Sequence, residues 1–272
     1  MNGNQELPSN DRNRPYAQEE GVTYIYETTS DLLEDYIQPS ASVGVIGPNL
    51  GLLADPTLAY ACNRIATGKI YVVEPQMSTN KSGVYVAGVG GWDAYLNDIR
   101  VLQRLGIQQS EPIWCGAGVG VQNMEAAIAP QTLDVIIDHG TSPYLVDSTA
   151  GRQNAFKYTS IYRQYFEALV PGGRVVLSIP SDLHEQQTLQ ESRAALTDIG
   201  FIAETHALKE DSVNIPVSER LAEAWRQSKR TADRSTDLGA VLRQSVVHHK
   251  GIPALNVSGW YKCKKAVIAY RP

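Results

Sequence analysis

Two short apolar runs, joined by a tight turn and one helix-length segment, set the strongest limit on what this chain can fold into. The first run, Val43 to Ile46, enters the turn Gly47-Pro48-Asn49-Leu50-Gly51. A helix-period segment from about Leu52 to Ala66 follows, Gly68 stops it, and a second run, Ile70 to Val73, ends on Glu74. Strand, turn, helix and strand within Val43 to Gln76 make a crossover of the roughly 30 residues that a parallel βαβ unit needs. Such a unit puts its turn and the carboxyl ends of its strands on one edge of a sheet. An acid closing the second strand is the usual partner of two ribose hydroxyls. The unit therefore points to a site for an adenosine-type nucleoside.

The rest of the chain largely continues the alternation. Residues 1–21 are polar and read as a mobile arm, and Asp31 can cap a helix that runs to about Ile37 before Pro39. Met77 to Gly91 reads as a functional loop or a local hairpin around Val84-Tyr85-Val86, and Trp92 to Leu105 as an amphipathic helix. A third strand falls in either Pro112 to Cys115 or Val119 to Gln122. The fourth, Leu133 to Ile137, ends on Asp138-His139 and leads into a loop with Gly140, Ser142 and Pro143. A helix over about Asn154 to Leu169 stops at Val170-Pro171-Gly172-Gly173, and a fifth strand covers Arg174 to Ile179. A helix near Glu185 to Ile199, a sixth strand near Phe201 to His206 and a last strand within Tyr261 to Tyr270 complete the pattern. Between the last two strands, residues 208–260 break it, with helices expected at Ser218 to Arg230 and Thr236 to Val247. The expected division is an arm with a short helix over 1–39 and one domain over 40–272 that carries the insertion as a cap.

This order of elements resembles the class I S-adenosylmethionine-dependent methyltransferases from Ser40 to Pro272. Five places carry the likeness, the first four being the turn Gly47 to Gly51, the acid Glu74, the pair Asn123-Met124 ahead of the fourth strand, and that strand's end at Asp138. The most specific string is Leu169-Val170-Pro171-Gly172-Gly173-Arg174, which is similar to the family's leucine-x-proline-glycine-glycine turn. The resemblance implies a Rossmann-like, doubly wound α/β fold with a mostly parallel seven-stranded sheet and a helical insertion before the last strand. It implies S-adenosyl-L-methionine as cofactor and methyl transfer as the activity. The chain departs from the family at Val45, where an acid is usual, and at Asn49, which replaces the middle glycine. Asn tolerates the left-handed backbone better than other non-glycine residues.

The resemblance assigns Gly47, Asn49, Gly51, Glu74, Asn123 and Met124 to the cofactor. A glycine turn lets the backbone approach a ligand, and the G-x-G-x-x-G spacing that seats a pyrophosphate is absent. Methyl transfer is in-line displacement from a sulfonium, which leaves the protein positioning and proton removal. Asp138 and His139 stand where the fourth strand delivers side chains, and His139 can act as a base near neutral pH. Tyr144, Trp225 and His248 are candidates for the substrate wall. Several have a plain structural alternative: Glu74 as a solvated acid, Asn123 as an ordinary loop residue, Met124 and Trp225 as core, His139 as a loop-bonding residue and His248-His249 as a surface pair.

Composition narrows the partners. A net charge of -5 argues against a protein built to grip nucleic acid. Cys62, Cys115 and Cys263 lie far apart without ligand spacing, so neither a metal site nor a disulfide framework is expected, and free thiols suit the cytoplasm. No apolar run reaches the roughly 18 residues of a membrane span. The expected substrate is a small-molecule hydroxyl or amine, and a homodimer is compatible with the sequence. Two rivals stay open, a methyltransferase-like binding module without turnover and an NAD-dependent oxidoreductase.

Overall fold

The structure, a computed structural model, describes residues 22–48, 56–74, 110–116, 118–148, 156–220, 222–223, 245–258 and 262–272. Short β-rich runs with no polar alternation form the middle of the main sheet, as expected for strands covered on both faces. These are β2 (Val43–Ile46), β3 (Ile70–Val73) and β5 (Leu133–His139), all parallel. With β1 (Tyr24–Thr28), β4 (Ile113–Trp114), β6 (Leu169–Pro180), β7 (Ile202–Glu210) and β11 (Cys263–Tyr270), they make one eight-stranded sheet in the order β1-β7-β11-β6-β5-β2-β3-β4. Only β11 runs antiparallel to its neighbours, β6 and β7. This is the Rossmann-like doubly wound sheet, with one strand more than the seven expected. The extra strand is β1, whose apolar alternation pairs it in parallel with β7 at the edge. Residues 24–28 of the expected N-terminal unit thus belong to the sheet, and the expected mobile arm, 1–21, lies outside the described residues.

Alternate residues of each strand face opposite layers. Val43, Val45, Val135 and Ile137 pack with Leu32 and Leu33 of α1 (Thr29–Tyr36) and Leu58 and Ala61 of α2 (Pro56–Arg64). Ile136, Val175 and Leu177 face Tyr162 and Tyr165 of α4 (Tyr158–Ala168) and Leu189 and Leu196 of α5 (Glu185–Ile199). A further helix, α3 (Thr141–Ser148), follows β5 where a loop was expected. Thr28 is the N-cap of α1, and Asp31, expected to be the cap, is the third residue of a reciprocal capping box.

The insertion differs from its expected form. Among the described residues, 219–220 and 222–223 are helical. Elsewhere it holds a three-stranded antiparallel sheet of β8 (Ser212–Pro216), β10 (Ile252–Ser258) and β9 (Ser245–His249), where a helix had been expected to reach Val247. Lys250 (φ 50) and Gly251 (φ 78) form a two-residue turn between β9 and β10 with both residues left-handed, the backbone that matches strand twist. The turn is fastened to α1: Lys250 Nζ lies 3.0 Å from Asp31 Oδ1 and also bonds Glu34, and His249 Nε2 lies 3.3 Å from Asp31. Burial raises the Asp31 pKa, but hydrogen bonds from Lys250 and Thr28 outweigh it and the carboxyl ends below its ordinary value.

The leucine-x-proline-glycine-glycine turn opens β6. β5 and β6 pair at Leu133 with Leu169 and next at Val135 with Arg174, so the turn is looped out of the ladder. Gly172 has φ 86, which favours glycine. Arg271 closes the turn: Gly172 N donates to its carbonyl, and its guanidinium bonds the carbonyls of Phe166 (2.7 Å) and Leu169 at the end of α4. A cation there satisfies carbonyls that have no partner within the helix.

His206 of β7 is 1% exposed, stacks on Tyr24 at 5.3 Å and lies 5.7 Å from Tyr26. Burial depresses its pKa to about 4. The Glu204 carboxylate, 3.8 Å away, is 41% exposed and too well solvated to reverse this. The folded pKa is below the unfolded value, so this stability is full above about pH 6.5 and is lost as the pH falls toward 4. The loss is on the order of 3 kcal/mol. Denaturant titrations at a series of pH values should show that slope in the wild type and a much flatter one in His206→Phe.

Candidate functional site

The direction of chain progression reverses between β2 and β5: β3 and β4 extend the sheet to one side of β2, and β5 and β6 to the other. Ligands of open α/β sheets bind at such a switch point, outside the carboxyl ends of the strands. Here those ends deliver Gly47, Asp138 and His139, with Glu74 at the end of the neighbouring β3.

Gly47 leaves β2 with φ 55, and its N–H donates to Val73 O at 2.8 Å. A Cβ at this position would lie 2.4 Å from Thr141 Cγ2 and 2.5 Å from its Oγ1. Thr141 Oγ1 donates to Ile46 O at 3.1 Å, so the first residue of α3 is stitched across the switch point onto the exit of β2. The glycine is therefore needed by the chain's own packing.

Asp138 is fully buried. Its Oδ1 accepts from the backbone N–H of Thr141 (2.8 Å) and Ser142 (3.2 Å), and its Oδ2 accepts from Tyr165 OH at 2.9 Å. Burial raises its pKa, partly countered by the bonds from Ser142 and Tyr165. The carboxylate holds the start of α3 to α4, so its lone pairs are turned inward. The adjacent His139 is different. Its Nδ1 pairs with Ser178 Oγ at 3.2 Å. Its Nε2 is buried, has no hydrogen-bond partner among the described residues, and faces Asp211 Oδ1 at 3.7 Å. Cys263, the first residue of β11, meets the same place: one donor atom each from His139, Asp211 and Cys263 lie within 4.8 Å of one another. Burial, and then the Asp211 carboxylate, push the Cys263 thiol far above its ordinary pKa.

The other expected residues divide. Glu74 sits at the carboxyl edge, half-buried, and its carbonyl accepts from Trp114 Nε1 at 3.1 Å. Asn123 is used by its own loop, accepting from Gly120 N (2.8 Å) and donating to Gly118 O (3.2 Å). Met124 is 0% exposed and packs with Ile46 and Val73 in the core. Tyr144, on α3, bonds Asp182 at the rim. His248 is exposed on β9, 3.9 Å from Glu219. Asn49, Gly51 and Trp225 lie outside the described residues.

Thr141, Tyr165, Ser178, Asp211 and Cys263 were not anticipated. Tyr158, Tyr162 and Tyr165 recur on one face of α4 with ring centroids 5.5 and 5.6 Å apart, a spacing visible in the sequence. The other residues gave no local signal, because strand order alone brings them to this edge.

No protein-family model and no curated protein sequence matches the chain. Solved structures do align with it over most of its length. A precorrin-6y C5,15-methyltransferase from Geobacter metallireducens covers 88% of this chain and 85% of its own, at 13% identity and a TM-score of 0.44. A SAM-dependent methyltransferase from Methanosarcina mazei covers 88% and 96%, at 10% identity and 0.44. A geranyl diphosphate methyltransferase in complex with SAM covers 89% and 84%, at 13% identity and 0.43. Likenesses this distant give no residue-by-residue correspondence, and the fold stands on the chain's own strand order.

Two outcomes test the clamp. Tyr165→Phe strips one bond from a buried carboxylate and should cost about 1–3 kcal/mol in denaturant unfolding at unchanged m-value. Gly47→Ala should cost a similar amount, and distinctly less in a Thr141→Ala background, because the clash is with the threonine side chain. Additive costs in that double-mutant cycle would remove the steric account.

Proposed function

We propose that the chain is an S-adenosylmethionine-dependent methyltransferase acting on a small-molecule hydroxyl or amine. The observation that carries this reading is the switch point between β2 and β5, flanked by an acid at the end of β3. A glycine exit from β2 and a carboxylate one strand away suit a nucleoside without a pyrophosphate, since no G-x-G-x-x-G run is present to seat one.

In this reading Glu74 accepts from both ribose hydroxyls, and the backbone after Gly47 lies against the cofactor. S-adenosylmethionine supplies an electrophilic methyl group on a sulfonium. The chain's own share is to orient the acceptor and manage its proton. Asp138 is then a positioning residue, fixing α3 and through it Tyr144 at the rim. His139 is the group on the reacting side. A nucleic-acid substrate fits the net charge of -5 less well.

The inward engagement of Asp138 and Asn123 favours one second reading, a module that binds the cofactor without turnover. Calorimetric titration with S-adenosylmethionine, S-adenosylhomocysteine and NADH separates the possibilities. Micromolar binding of both sulfur nucleosides and none of NADH is expected, and Glu74→Ala should weaken it at least tenfold, about 1.4 kcal/mol. NADH binding alone would replace the reading with an oxidoreductase, and an unchanged affinity in Glu74→Ala would remove the ribose assignment.

A further inference from the structure

We propose that His139, Asp211 and Cys263 form a binding site for a divalent transition metal of the zinc type, at the carboxyl edge of the main sheet. The three come from the end of β5, the residue after β7 and the start of β11. Because β11 is antiparallel, its first residue falls on the same edge as the ends of the parallel strands. One donor atom of each lies within 4.8 Å of the others. The His139 Nε2 to Asp211 Oδ1 separation is 3.7 Å. Bonds of about 2.0–2.1 Å at a tetrahedral angle would set it near ~3.3 Å, so this pair stands close to the separation that a shared ion requires.

The second observation is the state of His139. Its side chain is 6% exposed, and Nε2 is a buried nitrogen with no hydrogen-bond partner among the described residues. A separation of 3.7 Å is too long for a hydrogen bond. An orphaned buried nitrogen is costly, and a metal would satisfy it. Outer contacts of the kind that orient metal ligands are present. Ser178 Oγ pairs with Nδ1 at 3.2 Å, and Thr29 Oγ1 donates to Asp211 Oδ1 at 3.2 Å. The donor set also selects the ion. Nitrogen and sulfur suit zinc and its neighbours, whereas magnesium and calcium take oxygen. A thiolate and a carboxylate neutralise a dication in a place that water barely reaches. Three protein ligands leave a fourth position for an exogenous donor, the pattern of reactive rather than purely structural zinc sites.

A nucleophilic Cys-His-Asp triad fits less well. It would place the imidazole between thiol and carboxylate, one nitrogen to each, but Nδ1 is engaged by Ser178. The thiol is also 1% exposed, unlike a reactive cysteine. With a metal bound, Nε2 is a ligand and not a free base. The site does not depend on methyl transfer, and metal binding can be measured without cofactor or substrate.

The test is a Co2+ titration of the reduced, metal-stripped full chain. One equivalent should produce tetrahedral visible bands and a thiolate-to-cobalt charge-transfer band, both displaced by Zn2+. Cys263→Ser should abolish the charge-transfer band and Cys115→Ser should keep it. Asp211→Asn should weaken Co2+ binding at least roughly tenfold. Absence of a saturable band in the wild type, or its survival in Cys263→Ser, overturns the proposal. Should Cys263→Ser not fold, X-ray absorption of the zinc-loaded wild type decides. One sulfur near ~2.3 Å with nitrogen and oxygen near ~2.0 Å supports the site, and no sulfur, or more than one, overturns it.

Discussion

A buried carboxylate at the end of β5 is the constraint on which the rest of the structure depends. Asp138 is fully buried, and it is tolerated because two backbone N–H groups of α3 and the Tyr165 hydroxyl converge on it. That convergence fixes where α3 starts. α3 in turn puts Thr141 against Gly47, and so sets the exit of β2. One buried carboxyl group thereby ties the two strands on either side of the switch point. Removing any single contact leaves the others facing an under-satisfied buried carboxyl, so their energies are coupled rather than additive.

The immediate neighbour, His139, shows how one strand end can separate two jobs. Successive residues of a strand point to opposite faces. Asp138 turns to the α4 side and is bonded there, while His139 turns to the insertion side and keeps a nitrogen without a hydrogen-bond partner among the described residues. The insertion makes this second face. Asp211 leads into β8, and the β9–β10 turn pins the small sheet to α1 through Lys250, Asp31 and Glu34.

Much of the main sheet was legible in the chain. β2 and β3 match their apolar runs residue for residue, and α5 matches its periodic segment, because burial on both faces or a capped amphipathic stripe leaves a strong local signal. The insertion was not, although Lys250-Gly251 between Val246-Val247 and Ala254-Leu255 carried a hairpin signal that helix periodicity masked. The site was half legible. Gly47, Glu74, Asp138 and His139 follow from strand ends, which a sequence displays. Asp211 and Cys263 follow from strand order and direction, which it does not. The loop bonds of Asn123 and the core packing of Met124 likewise come from the folded chain and are not displayed by their residue types.

The position of β11 has a consequence for how the protein comes into being. It lies between β6 and β7, yet follows both in the chain. Until β11 has left the ribosome, β6 and β7 have no common partner, and β1 and β7 stay unjoined to the rest of the main sheet. Translation at about 5–20 residues per second makes that a delay of seconds. During it, the half of the sheet holding β2, β3 and β5 can assemble while two apolar strand edges stand open. A chaperone that shields sheet edges would find its client in that interval, and the nascent chain would be most prone to aggregate then.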